Sequence, residues 1–269
     1  MNNKALTLSV FLKKTLAYSN LWGILLPLQA AAIYALYTLF SSALYVHWLP
    51  TLILGYFCIM ILGITMGYHR LISHKSYTTS TWIKNVLLFF GVAAGQGSPL
   101  FWTAVHRGYH HPYSDTEKDP HTPQKGFFHS WFLWLWKIEE SDMNLRSVVD
   151  LARDPLQLFI HKHYTKIVWA IHGTVALISV DFWLWFLVVP SFITFHSYSI
   201  TNSLTHFRVL GYRNYNTKDN STNTWWLWPF VFGECWHNNH HGDQRAYNFG
   251  KIRWWEVDPA GLLISLIKK

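Results

Sequence analysis

Charge is missing from two long stretches of this chain, and those stretches set its architecture. Thr15 to His69 contains no Asp, Glu, Lys or Arg, and Ile167 to Phe207 contains only Asp181. Each has room for two membrane helices, since one crossing takes ~20 apolar residues. His47-Trp48-Leu49-Pro50 interrupts the first stretch and Asp181-Phe182 the second. The pattern therefore predicts spans near 22–46, 51–68, 165–180 and 183–205, paired as two hairpins. Basic residues flank the outer ends of both (Lys4, Lys13, Lys14 and Arg70; Lys162, Lys166, Arg208 and Arg213), while the tips carry none. The positive-inside rule then puts both chain termini and everything outside the hairpins in the cytoplasm. The expected fold is an all-α, multi-pass integral membrane protein. Four spans would carry a helical cytoplasmic cap, 69–164 and 206–269, in one domain covering 1–269.

Other segments refine this outline. Residues 1–20 mix Lys4, Lys13 and Lys14 with apolar positions and read as a basic, surface-lying segment. Residues 82–102 are apolar but broken by Gly91, Gly95, Gln96, Gly97 and Pro99, which predicts an amphipathic or re-entrant helix at the cytoplasmic face. Residues 137–163 are polar and mixed in charge, as in an exposed segment.

Composition agrees with the membrane reading: 51% of residues are hydrophobic, 13% are charged, and 16 are Trp. Ordinary soluble domains are more charged than this. The net charge of +8 suggests nucleic acid at first. The basic residues gather beside the apolar runs and form no continuous stripe, so a lipid bilayer is the better partner. Cys58 and Cys235 do not make a disulfide framework, and no C-x-x-C pair supports an iron–sulfur centre. The first residues lack the apolar core and cleavage site of a secretory signal.

The candidate chemistry lies in the histidines, 16 in all. They cluster as His69/His74, His106/His110/His111, His206 and His237/His240/His241. On this topology all four clusters fall on one side of the membrane, near helix ends. Nine imidazoles exceed the needs of one ion and suit two ions sharing a site, with iron, zinc, copper and nickel all compatible. On an ideal helix His106 and His110 share a face while His111 points ~140° away. His69 and His74 are also ~140° apart, so both reach one centre only where the helix ends or bends. Asn202, one turn before His206, is placed to hold a metal-bound water. Asp115, Asp119, His121 and Glu234 are candidates to orient the ligands, and Gly95 and Gln96 to line a substrate channel. His172 and His196 lie within spans and are expected to be hydrogen-bonded core residues. The Trp clusters at 131–136, 225–228 and 254–255 suit a membrane interface.

The pattern H-x4-H, H-x3-H-H, H-x2-H-H on a four-span chain resembles the membrane-bound fatty acyl desaturase family. Gly67-Tyr-His-Arg, Asp119-Pro-His, Asn202-Ser-x-x-His, Gly233-Glu-x-Trp-His-Asn-Asn-His-His and Arg253-Trp-Trp-Glu-Val-Asp-Pro carry the likeness, over roughly 50–265. They resemble the branch that places a first double bond in a saturated chain, typically at Δ9 (the stearoyl-CoA type). Close relatives often have H-x2-H-H in the middle cluster, so His106 here stands one residue further back. Cys235 replaces a usual Gly.

The resemblance implies two Fe ions and O2 as co-substrate. It implies a long-chain acyl lipid, acyl-CoA or acyl-carrier protein as substrate. No His-Pro-Gly-Gly haem signature occurs, so electrons are expected from a separate donor: ferredoxin, rubredoxin, or cytochrome b5 with its reductase. Animal acyl-CoA members carry a Trp where Ser199 stands. The other readings are a di-iron hydroxylase of alkyl, sterol or carotenoid substrates, and a metal transporter. A transporter would place ligands at mid-span. Because imidazoles bind metal only when neutral, metal should be lost as pH falls, from the ordinary histidine range of ~6.5 downward.

Overall fold

The structure, a computed structural model, describes residues 20–41, 43–136, 138 and 144–269. The basic segment expected at 1–20 lies outside the described residues except for Asn20. The fold is helical. Among the described residues the β-structure is limited to two isolated bridges, Tyr212 to Asn223 and Asn223 to Trp236.

Three helices are long and apolar enough to cross a membrane: α1 (Leu21–Ser41), α2 (Val46–Ser73) and α7 (Val180–Leu204). The first break falls before Val46 and not at His47–Pro50. Pro50 instead sits in the first turn of Leu49–Tyr56, where its missing N–H would have no intrahelical partner in any case. The third expected span is the 15-residue helix α6 (Tyr164–Ile178). At 1.5 Å per residue it reaches ~22 Å, short of the ~30 Å hydrocarbon thickness. Ser179 ends it and caps the next helix, its hydroxyl accepting from Phe182 N at 3.2 Å.

The apolar stretch 82–102 forms two helices and not one. Helix α3 (Thr81–Ala93) starts at a Ser80 cap and packs along α2. A Cβ on Gly63 would come within 2.6 Å of the Phe90 carbonyl carbon, so the two backbones meet directly. The chain then turns at Gly95 and Gly97, with φ of +71° and +101°, a region open chiefly to glycine. Helix α4 (99–113) begins at the Ser98 cap with Pro99 in its first turn.

Between α4 and α6 the chain makes short turns and helix α5 (Pro155–Lys162), where His161 is buried against Ser98 Oγ at 2.6 Å. The C-terminal part carries α8 (His237–Gly242) and α9 (Pro259–Ile267). It is tied to α2 through Arg70, which is fully buried and pairs with Glu234 at 2.8 Å and Asp258 at 2.6 Å. Arg70 is thus an internal tie as well as a basic flank of the second span. His172 is buried and His196 half-buried, and both are hydrogen-bonded. His172 Nε2 donates to the Ala93 carbonyl at 3.0 Å, and His196 Nε2 to Gln29 Oε1 at 2.9 Å.

Candidate metal centre

Nine histidines from four parts of the chain converge into two adjacent groups. His69, His74, His106, His111 and His240 form one, and His110, His206, His237 and His241 the other. The ligand atoms within each group lie within 4.8 Å of one another. In the first group Nε2 faces Nε2 around a chain of four contacts: His74–His106 at 2.8 Å, then His106–His111, His111–His240 and His240–His69 at 3.0 Å. In the second, His206 and His237 face each other at 3.1 Å. Ligands at right angles, each ~2.1 Å from a shared ion, would stand ~3.0 Å apart. The spacing is that of a coordination shell.

Helix pitch decides which histidines go together. The last part of α2 (Phe57–Ser73) and the middle of α4 (His106–His110) have widened turns with i→i+5 hydrogen bonds, His74 N to His69 O and His111 N to His106 O. Residues five apart then stack as residues four apart do in an α-helix. The widened last turn and the end of the helix at Ser73 thus bring His69 and His74 to one group, as the spacing required. His106 pairs with His111, while His110 belongs to the other group, which corrects the pairing drawn from ideal geometry. In α8 the ordinary α turn sets His237 and His241 in one group and His240 in the other. Such wide turns are concentrated at functional sites.

Four carboxylates sit behind the imidazoles. His69 Nδ1 is 2.8 Å from Glu234, His110 Nδ1 3.0 Å from Asp119, His206 Nδ1 3.0 Å from Asp115, and His241 Nδ1 2.7 Å from Asp219. His110, His206 and His241 donate Nδ1–H to their carboxylates, which leaves the Nε2 lone pair facing inward, the arrangement that orients metal-bound histidines, while Glu234 stands beside His69 Nδ1. Lone pairs facing each other at such distances repel unless a cation lies between them. His110 Nε2 and His241 Nε2 are buried and lack a hydrogen-bond partner. The donor set fits two metal ions.

Electrostatics agree. Burial, reinforced by neighbouring imidazoles, holds His74, His106, His111, His237 and His240 well below the ordinary histidine range. Burial also lowers His241 and His121 to about 4, against the opposing pull of Asp219 and Asp119. At neutral pH these rings are uncharged. Burial works against charge on Asp115, Asp119, Asp219 and Glu234, but their histidine partners outweigh it and keep all four below the usual carboxylate range.

Asp115, Asp119 and Glu234 each lie against an imidazole of the two groups. The His121 ring lies tilted beside the His110 ring, 4.6 Å between centroids, and its backbone N–H donates to Asp119 Oδ1 at 3.2 Å. Asp219 was not anticipated: it lies in the polar loop Asn216-Thr-Lys-Asp219-Asn, where no periodicity or neighbouring histidine marks it. Asn239 also does more than fill the third cluster. Its side chain links Asn214, Asn223, Phe249 O and Glu256, all at 2.8–2.9 Å, and so fixes α8.

A cavity opens beside the first group. Its wall includes His106, His121, Trp102, Phe195, Leu25 and Asn202, with Gly95 and Gln96. Ser199 lines it too. An elongated apolar group lying there would pass beside the imidazole cluster.

Comparison with known proteins matches residues 43–261 to the fatty acid desaturase family. The chain belongs to that family. This desaturase is 39% identical over 210 residues to the sn-1 stearoyl-lipid 9-desaturase of Anabaena variabilis, covering 77% of this chain and 75% of that protein. It is 34% identical over 220 residues to Delta-9 acyl-lipid desaturase 2 of Arabidopsis thaliana, with 77% and 67% covered. It is 32% identical over 214 residues to the sn-2 palmitoyl-lipid 9-desaturase of Nostoc sp. (strain 36), with 77% and 73% covered. The desaturase is accordingly an oxidoreductase of fatty acyl chains.

Proposed function

We propose that this desaturase uses O2 at a di-iron centre to place a cis double bond at Δ9 of a saturated long-chain acyl group esterified in a membrane lipid. The observation that carries the di-iron reading is the convergence of nine imidazoles into groups of five and four beside an apolar cavity. The names of the relatives, which act on lipid-bound stearoyl and palmitoyl groups, support the regiochemistry and the acyl carrier.

One iron would be held by His69, His74, His106, His111 and His240. The other would be held by His110, His206, His237 and His241, with Asn202 supporting a bound water. Glu234, Asp119, Asp115 and Asp219 fix ring orientation and tautomer, and thereby the direction of each Nε2. A metal pair of this kind supplies the oxidising power needed to remove hydrogens from unactivated methylenes. Trp102, Phe195 and Leu25 would align the acyl chain and exclude water, while Gly95 and Gln96 shape its path. Electrons would come from a separate ferredoxin, rubredoxin or cytochrome b5. Four spans, with α6 as the short one, would place both termini and the centre on the cytoplasmic side.

Expression in a host lacking unsaturated fatty acids tests the proposal. Wild type should yield lipids lighter by two hydrogens with the double bond at carbon 9, and His240→Ala should yield none. Products heavier by one oxygen would mean hydroxylation and refute the assignment.

A further inference from the structure

The C-terminal part of the chain presents an apolar surface that the metal site does not use. Trp225 and Phe230 are each 60% exposed, Trp254 is 95% exposed and Leu266 81% exposed. Between them runs a groove walled by Trp226, Trp228, Trp236, Trp255 and Val257. Its indoles are anchored from behind: Trp228 and Trp236 both donate to the Val257 carbonyl, at 2.8 and 2.9 Å, and Trp226 donates to Leu210 O at 3.0 Å. Trp226 and Trp228 are held at the surface by their inner ends, over the buried Trp236.

Two observations say what covers this face. The first is continuity with a span. The Tyr56 hydroxyl of α2 donates to the Phe230 carbonyl, and Ile53, Leu54 and Phe57 on the same helix are exposed apolar residues. Tyr56 precedes His69 by 13 positions along α2, roughly 15–20 Å toward the membrane middle. Even after subtracting the reach of a tyrosine side chain, Phe230 lies roughly 10 Å deeper than the imidazole cluster. The second is a basic fringe. Lys251 and Lys268 hold their ammonium groups over the Tyr247 ring at 4.2 and 4.3 Å, and Arg253 stacks on Tyr212 at 4.1 Å. Lys269 follows α9.

We propose that the surface formed by 225–232 and 252–267 is immersed in the headgroup layer of the leaflet nearest the metal site, with Lys251, Arg253, Lys268 and Lys269 meeting anionic lipid phosphates. Indoles favour this layer and lysines reach past them to phosphate. Helices that lie in the interface bury ~5–10 Å into it, so a surface set further along α2 toward the membrane than the imidazoles is placed to meet that layer. The inference does not depend on which lipid is desaturated or on metal content.

The test is depth measurement on the full chain in phosphatidylcholine vesicles, with and without phosphatidylglycerol. Nitroxide labels are placed by Trp254→Cys, Leu266→Cys and, as a polar-surface reference, Gln244→Cys. The native Cys58 and Cys235 are buried, and unlabelled wild type checks that they stay unmodified. Labels at 254 and 266 should be relaxed more by dissolved oxygen than by an aqueous nickel chelate, and the label at 244 the reverse. Phosphatidylglycerol should deepen position 254, and Lys251→Gln with Arg253→Gln should remove that increment. Preferential access of the nickel chelate at both 254 and 266 overturns the proposal. So does spin–spin broadening there, which would assign the face to a second copy of the chain. No response to phosphatidylglycerol overturns the phosphate contacts.

Discussion

Asp219→Asn isolates what a carboxylate behind a histidine contributes to this centre. Asp219 Oδ2 lies 2.7 Å from His241 Nδ1, and its Oδ1 accepts the Ser221 backbone N–H at 3.0 Å and the Thr217 hydroxyl at 2.7 Å. A backbone N–H cannot become an acceptor, so the introduced amide would keep its oxygen on Ser221 and turn its NH2 toward His241. The ring would then have to accept at Nδ1, which moves its proton to Nε2 and blocks the lone pair aimed at the metal. Loss of such a partner typically weakens metal binding 10–100-fold, or about 1.4–2.7 kcal/mol. Titration of metal-depleted protein against a competing chelator should show one of two sites weakened by that factor and the other unchanged. Thermal stability of the metal-free protein should barely move, because the loop hydrogen bonds survive. Equal weakening of both sites, or none, would refute the reasoning.

Further outcomes follow from other contacts. His240→Ala removes a ring that faces both His69 and His111 and should abolish desaturation, with metal analysis falling from two ions to one or fewer. The metal-free protein in detergent should lose stability as pH falls. Unfolded imidazoles bind protons near ~6.5, whereas folded His241 and His121 do so at about 4. The contribution is fully present above the unfolded value and declines between the two, by about 3 kcal/mol per ring. A denaturation midpoint flat from pH 7 to about 4 would contradict this. The same lowering means that protons compete with metal at lower pH than free histidine suggests, so half of the metal being lost above pH ~6 would count against the site described. Arg70→Met removes the buried guanidinium that pairs with both Glu234 and Asp258 and should cost about 3–5 kcal/mol in denaturant titrations. Gly63→Ala should cost about 1–3 kcal/mol by forcing α2 and α3 apart.

Uncharged runs and basic flanks located α1, α2 and α7 within a few residues, because exclusion of charge from hydrocarbon is a strong, local rule. The length of α6 was less legible, since the apolar run continues past Ser179, where a side-chain cap starts a new helix. The hairpin of α3 and α4 depends on backbone approach at Gly63 and left-handed turns at Gly95 and Gly97, and apolar periodicity is blind to both. All nine clustered histidines were identifiable by spacing, but their division into groups was not. His106, His110 and His111 sort according to helix pitch, and pitch is set by packing. Asp219 reaches His241 only through a loop whose course no local pattern encodes.

The widened turn in α4 explains how this chain carries one more residue between His106 and His111 than the common H-x2-H-H. The imidazoles fix both ends of the segment, so surplus length has to bulge outward between them as a looser coil. Ligand placement is thus preserved while the backbone supplies the slack. Excising one residue between His106 and His110 should restore a standard α turn and still set the two outer imidazoles on one face.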